Sequence, residues 1–283
     1  MNSSTDDALP TTEAGTPGLD LYRRWAEQPI DGPPEISIVI PAYNEEWRIL
    51  PTIGAIAVEI SKLDRPWELI VSDDGSSDDT RKLVRELGLP NLRLIESENT
   101  GKGGAVRRGM LAAKGDYVLF ADADQSTPIE QFSQLLAEIT EGGADVVVGS
   151  RAADGADVAN KSLLRKVMSA GLNGIVRVGF RIPISDTQCG FKLFTRDAAD
   201  ELFGVQRIDG FSFDLEILFL ARKRGMKISE VPVAWYDAPG STVDPGKVAI
   251  QFLKDLVRIR TWSIQGKYST PRSAAPEAEK DPA

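Results

Sequence analysis

Histidine is absent from the 283 residues, and cysteine occurs once, as Cys189. The first absence excludes Ser-His-Asp and Cys-His mechanisms and any His-ligated zinc centre. Proton transfer, where needed, falls to carboxylates, lysine or tyrosine. The second excludes an intrachain disulfide and suits a reducing compartment. Cys189 reads as a buried packing residue rather than a nucleophile. No apolar run approaches the ~20 residues that span a bilayer, and no basic region followed by an apolar stretch opens the chain. A cytoplasmic protein is therefore expected. Basic residues are the minority, 33 against 42 acids, and the net charge of -9 disfavours bulk nucleic-acid binding.

What is present fits a globular α/β protein, with 42% hydrophobic and 27% charged residues. Residues 1–34 are rich in Ser, Thr, Pro, Gly and acids and are expected to be disordered, apart from a helical turn near Leu19–Trp25. Residues 268–283 read as a second disordered tail. Between them, residues 35–245 form one domain, followed by a basic amphipathic helix over 246–267. Apolar β-branched runs predict strands at 36–40, 67–72, 92–96, 117–121 and 145–149. Helical patterns predict helices at 46–63, 79–87, 102–113 and 129–140. Continuous apolar strands alternating with helices imply a doubly wound, mostly parallel sheet covered on both faces. Ligands of such sheets bind beyond the C-terminal strand ends.

The motifs lie at those ends. After the first strand, Pro41-Ala42-Tyr43-Asn44-Glu45-Glu46 is either strand-loop-helix punctuation, with Asn44 as cap, or a nucleotide-base platform built on Tyr43 and Glu45. After the second comes Asp73-Asp74-Gly75-Ser76-Ser77-Asp78-Asp79-Thr80. Ser77 or Asp78 suits an N-cap, but two adjacent carboxylates repel, so one is expected to meet a base N–H or a ribose hydroxyl. After the third, Gly101-Lys102-Gly103-Gly104 is a plain glycine turn or an anion-approach loop, without a P-loop or GxGxxG pattern. After the fourth, Asp122 and Asp124 stand at i and i+2. Such a pair calls for a hard cation, Mg²⁺ or Mn²⁺, which also binds phosphate oxygens; the alternative is a solvated acidic turn. After the fifth, Arg151 is a surface residue or a phosphate clamp.

Taken in order, PAYNE, DDGSSDDT, GKGGA, DAD and GSR resemble the inverting glycosyltransferase family 2, with the GT-A (Rossmann-like) fold. The later segments Asp186–Phe194, Phe213-Asp214-Leu215-Glu216 and Glu230–Trp235, followed by Gly240-Ser241, resemble the polyprenyl- and dolichyl-phosphate sugar synthases, the glucosyl group most closely. The resemblance covers about residues 36–245. It implies that Pro41, Tyr43, Glu45 and Asp74 serve the base and ribose, with Asp73 and Lys102 as further members. It implies that Asp122 and Asp124 hold the diphosphate through metal, and that Arg151 and Arg165 face an acceptor phosphate. Mannose synthases of the family carry Gln where Ser126 stands, so a third protein metal ligand is not implied. The implied donor is UDP-glucose, with GDP-mannose as the alternative. The implied acceptor is a polyprenyl or dolichyl phosphate, reached on the cytoplasmic face of a membrane. An inactive nucleotide-sugar-binding protein is the remaining alternative.

A sugar-hydroxyl acceptor would need a base, and without histidine that base is a carboxylate. A lipid phosphate is already an anion and needs cationic positioning instead. Asp214 and Asp186 are candidates for positioning or base duty, with structural capping as the alternative. Two basic stretches, 160–181 and 247–272, combine Lys and Arg with apolar stripes. Leu163, Leu164 and Val167 belong to the first stripe, and Val248, Phe252, Leu253, Leu256 and Ile259 to the second. Each is either a core-facing helix or an interfacial helix on an anionic membrane surface.

Overall fold

A computed structural model describes residues 32–153, 155–156, 180, 182, 184–236 and 245–272. Residues 1–31 of the expected 1–34 tail, Arg165, the apolar stripe of the 160–181 stretch, and Gly240-Ser241 lie outside the described residues. Seven strands form one sheet: β1 (Ile36–Ala42), β2 (Trp67–Asp73), β3 (Leu92–Glu96), β4 (Tyr117–Ala121), β5 (Val146–Ser150), β6 (Phe191–Thr195) and β7 (Ile228–Pro232), in the order β3-β2-β1-β4-β6-β5-β7. β1 pairs in parallel with β2 and β4, and β5 pairs in parallel with β7. β6 alone runs antiparallel, between β4 and β5.

The helices are α1 (Ile49–Ile60), α2 (Thr80–Glu86), α3 (Lys102–Ala112), α4 (Phe132–Thr140), α5 (Arg196–Val205), α6 (Phe213–Lys223) and α7 (Pro245–Ile264). Strand side chains alternate between faces. Ile36, Ile38 and Ile40 of β1 pack with the buried side of α1, α2 and α4. Val39 faces the other way, onto Val106 and Met110 of α3 within the core that α5, α6 and α7 complete. The doubly wound reading holds, with α7 forming part of the second layer.

Local boundaries differ where side chains find other work. α1 begins at Ile49, and its last expected turn, Ser61–Leu63, is a 3₁₀ segment. Asn44 does not cap α1. It adopts φ 56°, and its Oδ1 accepts from Ser77 N at 2.8 Å. Asp78 supplies the local acceptor at the start of α2, taking Thr80 N at 3.0 Å. The C-terminal end is ordered further than expected: Tyr268 is buried, and Arg272 pairs with Asp209.

Candidate active site

The parallel strands end along one edge of the sheet, and the loops there are tied to each other rather than independent. Asn44 N donates to Ser76 Oγ (2.9 Å), Glu45 N to Thr80 Oγ1 (2.8 Å), and Asp79 N to Glu46 Oε2 (3.1 Å). These bonds make the loops after β1 and β2 one unit. Tyr43 stands 52% exposed at its lip, available for stacking.

Asp73 and Asp74 are buried, and an arginine pairs with each. Asp73 Oδ1 accepts from Gly75 N, Ser76 N and Arg81 Nε. Asp74 accepts from Thr100 N (3.0 Å), Gly101 N (2.7 Å) and Arg108 Nη2 (2.8 Å). The visible work of Asp74 is thus to staple the loop after β2 to the glycine turn after β3. Asp73 Oδ2 stays buried without a protein partner. The sequence reading missed Arg81 and Arg108: Arg81 stands in α2, the helix after the acidic loop, and Arg108 in α3, one strand further on.

Asp122 and Asp124 follow β4 and are partly exposed. Antiparallel β6 begins at this edge and runs away from it, which brings the Asp186–Gly190 segment beside β4. Asp122 N donates to Gly190 O at 3.0 Å. A Cβ on Gly190 would lie 1.9 Å from Asp122 Oδ2, so only glycine leaves this carboxylate its place. Asp124 Oδ1 accepts from Ser126 N at 2.9 Å. Lys102 Nζ lies 2.6 Å from Asp122 Oδ1, as a charge contact rather than an aligned hydrogen bond. Lys102, expected among the nucleotide-sugar residues, is thus brought to the DAD turn.

Glu45 faces the same turn. Burial first, and then Asp124 and Asp122 against the opposing pull of Arg48, raise its pKa above the ordinary value. Among the described residues no cluster of three or more His, Cys, Asp or Glu could hold a metal. The donor set still fits a hard cation: two adjacent carboxylates supply oxygen ligands and leave the rest to diphosphate and water.

Behind this turn the charges alternate. Lys192, 1% exposed in mid-β6, places Nζ 2.5 Å from Asp214 Oδ1 and donates to Cys189 O. Burial raises the Asp214 pKa while Lys192 and Lys102 pull it down. Burial also opposes the charge of Lys102, but Asp122 and Asp214 outweigh it and hold its pKa above the usual value. Asp214 is buried near the start of α6, whose N-cap is Ser212, and its bonded partner is Lys192. The clue to Lys192 was a lone cation inside the apolar run Phe191–Phe194. Cys189 is buried, its thiol pushed up to about 11 chiefly by burial, as befits a packing residue.

On the far side, three separated motifs converge. Arg151 Nε and Nη2 donate to Asp186 Oδ2 (2.6 Å) and Oδ1 (2.9 Å), and the Arg151 backbone N–H donates to Oδ2 as well. Burial disfavours both charges, yet each partner overcomes it: Asp186 falls below the carboxylate range and Arg151 rises. Trp235 lies under the guanidinium, 5.5 Å from ring centroid to Cζ. Glu230 Oε1 accepts from Ser185 N and Asp186 N. Asp186 holds Arg151 and also accepts Gln188 N at 3.3 Å, closing its own turn.

Known proteins resemble the chain in sequence and in fold. The family described as "Glycosyl transferase family 2" matches residues 37–203. Dolichyl-phosphate beta-glucosyltransferase of Dictyostelium discoideum is 41% identical over 241 residues, covering 80% of this chain and 73% of that protein. The protein so named from Saccharomyces cerevisiae is 37% identical (82% and 76% covered), and the one from Homo sapiens 32% (83% and 77%). Among solved structures, glucosyl-3-phosphoglycerate synthase from Mycobacterium tuberculosis with phosphoglyceric acid superposes with TM-score 0.60 at 21% identity, covering 85% of this chain and 82% of that chain. The same enzyme in complex with Mn²⁺, UDP and glucosyl-3-phosphoglycerate gives TM-score 0.58 at 22% identity, with the same coverage. These likenesses give the sheet and its helices the GT-A fold, and by its motifs, its fold and its relatives the chain belongs to glycosyl transferase family 2.

Proposed function

We propose that this chain transfers glucose from UDP-glucose to a polyprenyl or dolichyl phosphate, with inversion at the sugar carbon. The observation that carries the reading lies on the acceptor side. Asp186 is bound to Arg151, and Asp214 to Lys192, so neither is presented as a base. A phosphate acceptor, already anionic, needs none. The glucosyl identity rests on relatives named for it at 32–41% identity, and the mannosyl alternative is not favoured.

The donor base would stack near Tyr43, over the unit built from the β1 and β2 loops, with Pro41 and Glu45 at its rim. The unpartnered Asp73 Oδ2 is the acceptor available to a base N–H or ribose hydroxyl. Asp74 and Lys102 act on the loop and the DAD turn that receive the diphosphate. Asp122 and Asp124 would hold Mg²⁺ or Mn²⁺, which when bound supplies neutralisation of the leaving diphosphate. Arg151, held flat between Asp186 and Trp235, offers its remaining N–H groups to the acceptor phosphate, with Arg165 proposed beside it. The intact carboxylate pair argues against an inactive binding protein.

Access to a lipid is proposed through α7. The stripe expected to serve it divides: Phe252, Leu256 and Ile259 are buried in the core, while Leu253 is exposed, and Val257 and Ile264, outside the expected stripe, join it beside Lys254 and Arg258. Among the described residues no helix is long and apolar enough to cross a membrane. A surface helix of this composition lies on an anionic bilayer, which would place the protein at the cytoplasmic face. The test is product analysis with labelled UDP-glucose or GDP-mannose, with and without polyprenyl phosphate. A glucolipid formed from UDP-glucose alone is expected. A mannolipid, or a product formed without the lipid, overturns the reading.

A further inference from the structure

The segment Lys267–Arg272 has the composition of a tail, yet it is bound at nearly every residue. Tyr268 Oη donates to Glu216 Oε1 at 2.7 Å, and Arg207 Nε donates to Lys267 O at 3.0 Å. Arg272 grips Asp209 with both Nη atoms, at 2.7 and 2.9 Å, and its backbone N–H donates to Gly204 O. Arg107 of α3 reaches across to Arg272 O at 3.0 Å.

Two of these grips land on the loop 206–210, at Arg207 and at Asp209, and that of Tyr268 reaches it through Glu216. Glu216 Oε2 accepts Ile208 N at 2.8 Å, so Glu216 joins the loop to Tyr268. The opposite side of the loop touches the glycine turn. Gln206 Nε2 donates to Gly103 O at 2.9 Å, and Gly104 N donates to Asp209 O at 3.1 Å. A Cβ on Gly103 would lie 2.7 Å from Ile208 O, so the two backbones are in direct contact. The loop is a wedge between the C-terminal segment and the turn that carries Lys102.

We infer that Lys267–Arg272 is a positioning strap for the donor site. By holding residues 206–210 against Gly101–Gly104, it sets where Lys102 meets Asp122 and where Asp74 meets the amides of Thr100 and Gly101. Close-packed interiors transmit such displacements instead of absorbing them. The inference rests on the reading of this turn as the site of the donor diphosphate.

The test uses the full chain with Arg272→Ala, Arg272→Lys and Tyr268→Phe. Arg272 is partly exposed, so its loss removes a bidentate contact without opening the core. UDP affinity with Mg²⁺ is measured by calorimetry, KM for UDP-glucose and for polyprenyl phosphate by kinetics, and exchange of the Gly104 amide by hydrogen–deuterium methods. For Arg272→Ala, UDP affinity should fall about tenfold, the loss of roughly one charge-assisted hydrogen bond. The UDP-glucose KM should rise with it and Gly104 should exchange faster, while the lipid KM and the melting temperature hold. Arg272→Lys should recover part of the loss. Wild-type UDP affinity together with wild-type Gly104 exchange overturns the strap. So does a parallel loss of lipid affinity and melting temperature, which would make the segment merely structural. Failure of the unmodified protein to bind UDP removes the donor-site reading itself, and the strap's role with it.

Discussion

Lys102 Nζ and Asp122 Oδ1 stand 2.6 Å apart, so the first carboxylate of the DAD turn already has a cation, while Asp124 takes only the Ser126 amide. A metal on this turn therefore finds Asp124 the less engaged ligand.

Asp124→Asn should lower turnover by roughly 10²-fold or more, the scale of losing charge stabilisation at a leaving group. The melting temperature should hold, because Asp124 is partly exposed. Chelation with EDTA should abolish activity and restored Mn²⁺ or Mg²⁺ should return it. Full rates in excess EDTA would refute the metal role.

Arg151→Ala should both raise the KM for lipid phosphate and destabilise the fold, because it strands Asp186 in a buried place. Breaking such a pair costs about 3–5 kcal/mol. The double variant Arg151→Ala/Asp186→Asn should regain much of the stability and none of the acceptor affinity. Denaturant unfolding and steady-state kinetics separate the two. Equal loss of donor and acceptor binding would sink the acceptor assignment.

Glu216 links stability to pH. Burial chiefly pushes its carboxyl from 4.5 up to about 7. Between these values the folded chain holds a proton that the unfolded chain has released. The contribution to stability is thus complete below pH 4.5 and is lost as pH rises to about 7. Glu216→Gln cannot titrate, so the stability of wild type relative to this variant should decline across that window and level off above it. A difference independent of pH between 5 and 8 would refute the assignment.

Vesicle binding should depend on the exposed stripe of α7. Leu253→Ser, Val257→Ser and Ile264→Ser together should weaken sedimentation with anionic vesicles and leave the melting temperature unchanged, since these side chains face solvent. Phe252→Ser should destabilise instead, because Phe252 is 3% exposed within the core. Binding should weaken with added salt, as each Lys or Arg near the surface contributes about 1 kcal/mol. Undiminished binding of the triple variant would move the membrane contact elsewhere.

Periodicity and end-of-strand chemistry determined much of this protein in advance. Local physics sufficed to read β3 and β4 residue for residue: β4 is buried and apolar, while β3, half-buried at the sheet edge, keeps Leu92, Leu94 and Ile95 among charged neighbours. It also placed Tyr43, Asp122, Asp124 and Arg151 at one edge, since parallel strands deliver their C-terminal ends together. What needed tertiary structure was every choice between partners distant in the chain. Composition alone left Asp73 and Asp74 as repelling neighbours; folding brings Arg81 and Arg108 to them. Residues 268–272 read as a tail because the partners of Tyr268 and Arg272, Glu216 and Asp209, lie more than fifty residues away. The stripe of α7 looked uniform until packing turned Phe252, Leu256 and Ile259 inward and left Leu253 outside, where Val257 and Ile264 extend the exposed face. The antiparallel direction of β6, which brings Gly190 against Asp122, follows from no local preference; it is decided by which strand edges remain open when the chain returns to the sheet.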